Sequence, residues 1–219
     1  MELQDKINDV FIQTIKMFDL TIKYLNDSFS YFFNDADEVK KEKEINDDLI
    51  DESLIKIEKQ CLNIILRERP FARDLRKITG IFKLVDDIER LGDHSEDVCW
   101  CVMNLKKESK HQIHTKSLFK MINVSLNMVF DAYQSLVKED VTLANNVLRS
   151  DDLVDSLYLK VLEELKPNTV LEGNSSYIIY STLVAKYIER IADHASNIAE
   201  WAIYIKSGYY KDLIFLGIF

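Results

Sequence analysis

The heptapeptide IERLGDH (residues 88–94) recurs in the chain as IERIADH (residues 188–194). A second pair of related blocks, NDDLID (46–51) and SDDLVD (150–155), precedes the first pair in the same order. One short match arises easily by chance, whereas two matched blocks in the same order indicate an internal duplication. The sequence therefore predicts two copies of one structural unit.

The rest of the chain has the pattern of long helices. Five glycines and two prolines in 219 residues leave few turn signals, and apolar residues recur at helical spacing through six segments. Pro70 suits the first turn of a helix, and Thr115 suits a helix N-cap. We predict helices at 3–32, 36–68, 70–107, 116–138, 140–166 and from about 175 to 207.

This order of helices predicts an all-α fold. Three long helices are followed by a polar linker and then by three more. We expect two tandem three-helix bundles related by a pseudo-twofold, with a first domain at 1–108 and a second at 115–219.

Composition and charge exclude several classes of protein. The net charge of −9 and the pI near 5.0 disfavour nucleic-acid binding, which depends on neutralising phosphates. No run approaches the ~18 apolar residues that a membrane-spanning helix needs, and the charged start MELQDKINDVF does not resemble a signal peptide. Three cysteines without a CxxC motif indicate reduced, buried thiols in a cytoplasmic protein.

Each predicted bundle carries two pairs of carboxylates spaced four residues apart. Such residues share one helix face, with Cβ atoms about 5–6 Å apart, so their charges repel. They also interrupt apolar stripes, where uncompensated charge is costly. The pairs are Asp47 and Asp51, Glu89 and Asp93, Asp151 and Asp155, and Glu189 and Asp193.

The pairs also agree in register. In an antiparallel helical hairpin, residues at one level have residue numbers with a constant sum. Asp51 with Glu89 and Asp47 with Asp93 are both centred on position 70, and the pairs of the second half are both centred on position 172. We therefore expect Asp51 to face Glu89 and Asp155 to face Glu189, with four carboxylates at one level in each hairpin.

Three readings of these carboxylates are open. Hard cations such as Mg²⁺, Mn²⁺, Ca²⁺ or Fe³⁺ prefer all-oxygen ligand sets. Arg90 and Arg190 could compensate the charge instead, and a solvated acidic face is the simplest alternative for any single pair. His94 and His194 lie about 140° around the helix from the preceding glutamates, so we expect them to pack or to be exposed rather than to bind the same cation.

Motifs of catalysis are missing from the sequence. It contains no Ser/His/Asp set, Gly-rich phosphate loop or dinucleotide-binding fingerprint. A di-iron carboxylate oxidase would use Glu-x-x-His from two helices, whereas this chain offers only Glu108 and His111, in the linker. We therefore expect a protein that is not an enzyme, with the oxidase as a remote alternative.

Two segments resemble the PhoU family, and the resemblance extends over nearly the whole chain. They are RPFARDLRKITGIFKLVDDIERLGDHSEDV (69–98) and YIERIADHASNIAEWAIYIKSG (187–208). The resemblance implies two PhoU repeats whose (E/D)xxxD motifs hold a multinuclear cluster of iron, zinc, manganese or magnesium. The implied ligands are the eight carboxylates above, with Asp97, Asn197 and Glu200 further out. The segment DVCW (97–100) departs from the family's N-I-A-E pattern.

The same resemblance implies a function. It indicates a cytoplasmic regulator of phosphate uptake and homeostasis, a homodimer that reaches the membrane only through its partners. These would be the ATPase subunit of a phosphate ABC transporter and a sensor histidine kinase, with uptake and the phosphate-starvation response restrained by population shift. A metal-free helical scaffold and an accessory protein of another transporter are the alternatives. The apolar segment YYKDLIFLGIF (209–219) would close the core or dock on a partner.

Overall fold

The computed structural model describes residues 2–33, 48–108, 115–167 and 175–208, which are helical almost throughout. This part of the chain contains no β-strand, and none of its helices is both long and apolar enough to cross a membrane. The all-α prediction is confirmed. The helices are α1 (Leu3–Phe33), α2 (Asp48–Glu68), α3 (Arg73–Glu108), α4 (Lys116–Lys138), α5 (Val141–Leu165) and α6 (Ser175–Ser207).

Most helix bounds agree with the sequence-based predictions to within about two residues, and α3 is the exception. It begins at Arg73, so the prediction that Pro70 lies in its first turn is wrong. Arg69 and Ala72 have φ angles of 49° and 47°, which a right-handed helix cannot accommodate. Pro70 is instead buried in the turn between α2 and α3. The predicted start of α2 at residue 36 falls in 34–47, outside the described residues.

Side-chain caps fix the start of α4 and of α5. Thr115 Oγ1 accepts a hydrogen bond from the backbone N–H of Leu118 at 3.3 Å, which confirms the predicted cap. Asp140 Oδ1 accepts from the N–H groups of Thr142 and Leu143 at 2.9 and 3.0 Å. These bonds satisfy N–H groups that have no partner inside the helix.

The helices form two three-helix bundles. α1, α2 and α3 pack together, α4, α5 and α6 pack together, and the long helices α3 and α6 pack against each other between the two bundles. The rings of His94 and His194, which are equivalent in the two repeats, lie 5.6 Å apart. Contact between equivalent residues occurs where a twofold axis passes, so the pseudo-twofold runs close to this pair.

The cysteines belong to the apolar core. Cys61, Cys99 and Cys101 are free and buried. Burial raises the pKa of the Cys61 thiol to about 12 and that of Cys99 to about 11. Such thiols are protonated at neutral pH and poorly reactive, and the prediction that the cysteines are buried is confirmed.

Candidate metal centre

Three carboxylates meet between α2 and α3 in the first repeat. One oxygen from each of Asp51, Glu89 and Asp93 lies within 4.8 Å of the other two. All three residues are half-buried. The register prediction is therefore confirmed for this hairpin, in which Asp51 faces Glu89. Asp47, the fourth predicted member, lies outside the described residues.

Close packing of α2 on α3 brings these carboxylates together. Gly92 lies next to Asp93 and faces Ile50, which lies next to Asp51. A Cβ atom on Gly92 would be only 2.8 Å from Cδ1 of Ile50. In the second repeat, the matched blocks place Ala192 and Val154 at these positions. The larger aliphatic side chain thus occurs opposite the residue that has no side chain.

Replacement of Gly92 by alanine is expected to lower the melting temperature by about 2–4 °C. Overpacking against Ile50 costs about 1–3 kcal/mol and alanine returns about 1 kcal/mol of helix propensity, so the middle of the range is a net cost of about 1 kcal/mol. A loss of that size lowers the melting temperature of a chain this long by about 2–4 °C. Adding Ile50→Val, which copies the second repeat, should restore the wild-type value in differential scanning calorimetry. A stabilised Gly92→Ala protein would contradict the packing argument.

Two oxygens of this cluster have no hydrogen-bond partner. Oδ1 of Asp51 and Oε2 of Glu89 are buried and unpaired among the described residues. Arg90 Nη1 donates to Asp93 Oδ2 at 2.6 Å, and its Nε lies 3.4 Å from Glu89 Oε2 without forming a hydrogen bond. The Arg90 side chain is 49% exposed, so it compensates the cluster only from its rim. Buried oxygens without partners are costly, and a cation would satisfy both.

Burial raises the pKa of Glu89 to about 7, with further repulsion from Asp93 and Asp51 and opposition from Arg90. The protonated form of this carboxyl group is therefore populated near neutral pH when no cation is present. A bound cation requires the ionised form and would displace that proton. Three converging carboxylates with orphaned oxygens thus fit a hard cation, which would be held by Asp51, Glu89 and Asp93.

The carboxylates of the second repeat are arranged differently. Glu189 Oε2 accepts a hydrogen bond from Lys186 Nζ at 2.5 Å. Asp155 and Asp193 are exposed, and the second repeat contributes no group of three converging oxygens among the described residues. The four carboxylates of this repeat still lie near one another. Partial burial of its carboxyl group, followed by the charges of Glu189, Asp151 and Asp155, raises the pKa of Asp193 to about 6.

The two histidines pack in the interface between α3 and α6, which is one of the two arrangements expected of them. His94 is buried, and its Nδ1 lies 3.2 Å from Oδ2 of Asp97. Nδ1 of His194 lies 2.9 Å from Oδ1 of Asp87, which also accepts a hydrogen bond from Asn197 Nδ2 at 2.9 Å. Asp97 and Asn197, which the resemblance places around the metal, are thus engaged with His94 and Asp87.

Sequence reasoning missed three charged residues that shape these sites. Asp87 joins the two repeats, Asp86 adds negative charge near Glu89, and Lys186 pairs with Glu189. Asp86 and Lys186 occupy equivalent positions, three residues before the glutamate of each repeat. Extending the comparison of the two IER blocks by two residues toward the N-terminus would have revealed this reversal of charge.

The family model for the PhoU domain matches the chain twice, at residues 14–102 and 118–202. The chain belongs to the PhoU family. The predicted resemblance and the two repeats are confirmed.

Curated PhoU relatives match most of the chain. The phosphate-specific transport system accessory protein PhoU homolog of Clostridium acetobutylicum is 36% identical over 170 residues, which cover 76% of this chain and 77% of that protein. The homolog of Aquifex aeolicus is 35% identical over 210 residues, covering 95% and 94%. The crystal structure of PhoU from Pseudomonas aeruginosa superimposes with a TM-score of 0.87 at 30% identity, covering 95% of this chain and all of that one.

Proposed function

We propose that this PhoU protein is a cytoplasmic, metal-binding adaptor that restrains phosphate uptake and the phosphate-starvation response. It would contact the ATPase subunit of a phosphate ABC transporter and a sensor histidine kinase, act as a homodimer, and reach the membrane only through these partners. It performs no chemistry. Its effect is to favour the restrained state of each partner by binding that state more tightly.

Family membership over nearly the whole chain supports this proposal. The relatives from Clostridium acetobutylicum and Aquifex aeolicus are accessory proteins of phosphate-specific transport systems. An accessory protein acts through contact, so the chain needs an exposed surface that a partner can bury. The metal part of the proposal rests on the first carboxylate cluster, where Asp51 and Glu89 each keep a buried oxygen that has no hydrogen-bond partner in the described part of the chain.

Exposed aliphatic side chains near the acidic motifs offer such a surface. Leu49 and Ile55 on α2 are 55% and 50% exposed, and Leu153 and Leu159 on α5 are 39% and 62% exposed. Leu49 and Leu153 are equivalent in the matched blocks, and the same alignment, extended four residues, makes Ile55 equivalent to Leu159. A partner that contacts both repeats could bury these equivalent apolar side chains.

Deletion of the gene is expected to leave phosphate-starvation genes expressed in phosphate-rich medium. Complementation with the wild-type gene should restore repression, whereas Ile55→Gln/Leu159→Gln should restore it poorly and should bind the transporter ATPase at least 10-fold more weakly. The reason is that both side chains are exposed in the free protein and would be buried by the partner. Reporter expression and binding to the purified ATPase subunit measure these effects.

The matched control is Ile12→Gln/Ile179→Gln, which changes two other side chains, 51% and 56% exposed, on α1 and α6. Both double variants should keep the wild-type melting temperature, since exposed substitutions change stability by less than about 0.5 kcal/mol each. Normal repression in the deletion strain, together with no binding to the ATPase or the kinase, would overturn the adaptor proposal. An accessory role in another transport system would then take its place.

A further inference from the structure

We propose that the two repeats of this chain are not equivalent toward metal: the first binds the cation, and in the second the ammonium group of Lys186 takes the cation's place. This inference rests on the metal binding proposed above. It differs from the expectation of two equal sites that the duplicated motifs suggest.

Asp86 and Lys186 carry opposite charges at equivalent positions of the two repeats. Each residue precedes the glutamate of its repeat by three positions, so both lie one helical turn from that glutamate on the same helix face. Lys186 Nζ donates to Glu189 Oε2, and it also lies 5.6 Å from the centre of the Tyr158 ring on α5. The ammonium group therefore sits between α6 and α5, the two helices that carry the acids of this repeat.

The carboxylate oxygens of the two repeats differ in their partners and in their burial. In the first repeat, three oxygens converge within 4.8 Å, and the unpaired oxygens of Asp51 and Glu89 are buried. In the second repeat, Glu189 already accepts a hydrogen bond from a cation, and Asp155 and Asp193 are more exposed than Asp51 and Asp93. A metal ion there would have to displace Lys186 from the glutamate or tolerate its repulsion at close range. In the first repeat it would relieve the repulsion among three carboxylates, with Arg90 bonded to Asp93 at the exposed rim.

The arginines do not reverse this difference. Arg90 donates a hydrogen bond to Asp93 from the exposed rim, and its Nε lies 3.4 Å from Glu89 Oε2. It makes no hydrogen bond to the inner oxygens of Asp51 and Glu89, which have no such partner among the described residues. Its equivalent, Arg190, lies 5.9 Å from the centre of the Tyr187 ring. Arg90 and Lys186 both lie close to the carboxylates of their repeats, but of the two only Lys186 donates a hydrogen bond to the glutamate that a metal would need.

Exchange of the two charges tests the proposal. Mn²⁺ would be titrated into metal-free full-length protein by isothermal titration calorimetry, with bound Mn²⁺ counted by electron paramagnetic resonance. We expect Glu89→Gln and Asp86→Lys to weaken the tight binding at least 10-fold, and Glu189→Gln to leave it unchanged. Lys186→Asp should add a second tight binding event, which Glu189→Gln removes again.

The outcomes separate this inference from the proposed function. No tight Mn²⁺ binding by the wild-type protein would overturn metal binding itself. Equal loss of binding in Glu89→Gln and Glu189→Gln would leave metal binding intact and overturn the difference between repeats. Should Lys186→Asp fail to fold by circular dichroism, Lys186→Gln removes the charge with little change in size. Unchanged Mn²⁺ binding in a folded Lys186 variant would show that Lys186 does not exclude the metal.

Discussion

Addition of Mn²⁺ to the metal-free protein is expected to raise its melting temperature by about 5–11 °C when free Mn²⁺ is a hundred times its dissociation constant. Binding to the folded state at that concentration contributes about 2.7 kcal/mol. One kcal/mol corresponds to about 2–4 °C for a chain of this length. The stabilisation arises because the cation satisfies the buried oxygens of Asp51 and Glu89 and removes the repulsion between them. Scanning calorimetry with and without Mn²⁺ measures it.

Glu89→Gln and Glu189→Gln form the matched pair of variants for this experiment. Glutamine keeps the shape of the side chain and removes its charge. We expect the Mn²⁺-dependent shift to vanish in Glu89→Gln and to persist in Glu189→Gln, where Lys186 already holds the carboxylate. If Mn²⁺, Mg²⁺ and Fe³⁺ all leave the wild-type melting curve unchanged, structural metal binding is wrong and the metal-free scaffold is the better description.

The sequence was sufficient for the helices and for the register within the first hairpin. Helix periodicity is local, and the i, i+4 spacing of Glu89 and Asp93 fixes one face without knowledge of the fold. The register followed because an antiparallel hairpin has one free variable, the position of its turn. Placing that turn at residue 70 was enough to bring Asp51 opposite Glu89, even though α3 begins three residues later than predicted.

Contacts between the two repeats could not be read from the sequence. The hydrogen bond between Asp87 and His194 depends on how α3 crosses α6, and no periodicity within one helix specifies that crossing. The hydrogen bond from Lys186 to Glu189 could not be read from the sequence either, because a lysine three residues before a glutamate can bond to it or extend into solvent. The positive φ angles of Arg69 and Ala72 also escaped prediction, since neither residue type favours that conformation.

Replacement of Phe18 by alanine is expected to destabilise the protein by about 3–5 kcal/mol, the usual cost of removing a buried aromatic side chain. Phe18 lies on α1 and is fully buried. Its ring meets that of Tyr133 on α4 at 5.4 Å and an interplanar angle of 85°, so the cavity would open between the two repeats. The melting temperature should fall by about 6–20 °C in scanning calorimetry. Phe130→Ala, at a position that is 51% exposed on α4, is the control and should change it little.

The shape of that transition tests whether the predicted domains 1–108 and 115–219 fold separately. Phe18 contributes to both repeats, and the interface between α3 and α6 joins them along two long helices. We therefore expect one cooperative transition in the wild type and one, shifted to lower temperature, in Phe18→Ala, with calorimetric and van't Hoff enthalpies equal in both. Two transitions, of which only one moves, would contradict this expectation. They would show that each repeat has a core able to fold without the other, so that the duplicated unit is also the unit of folding.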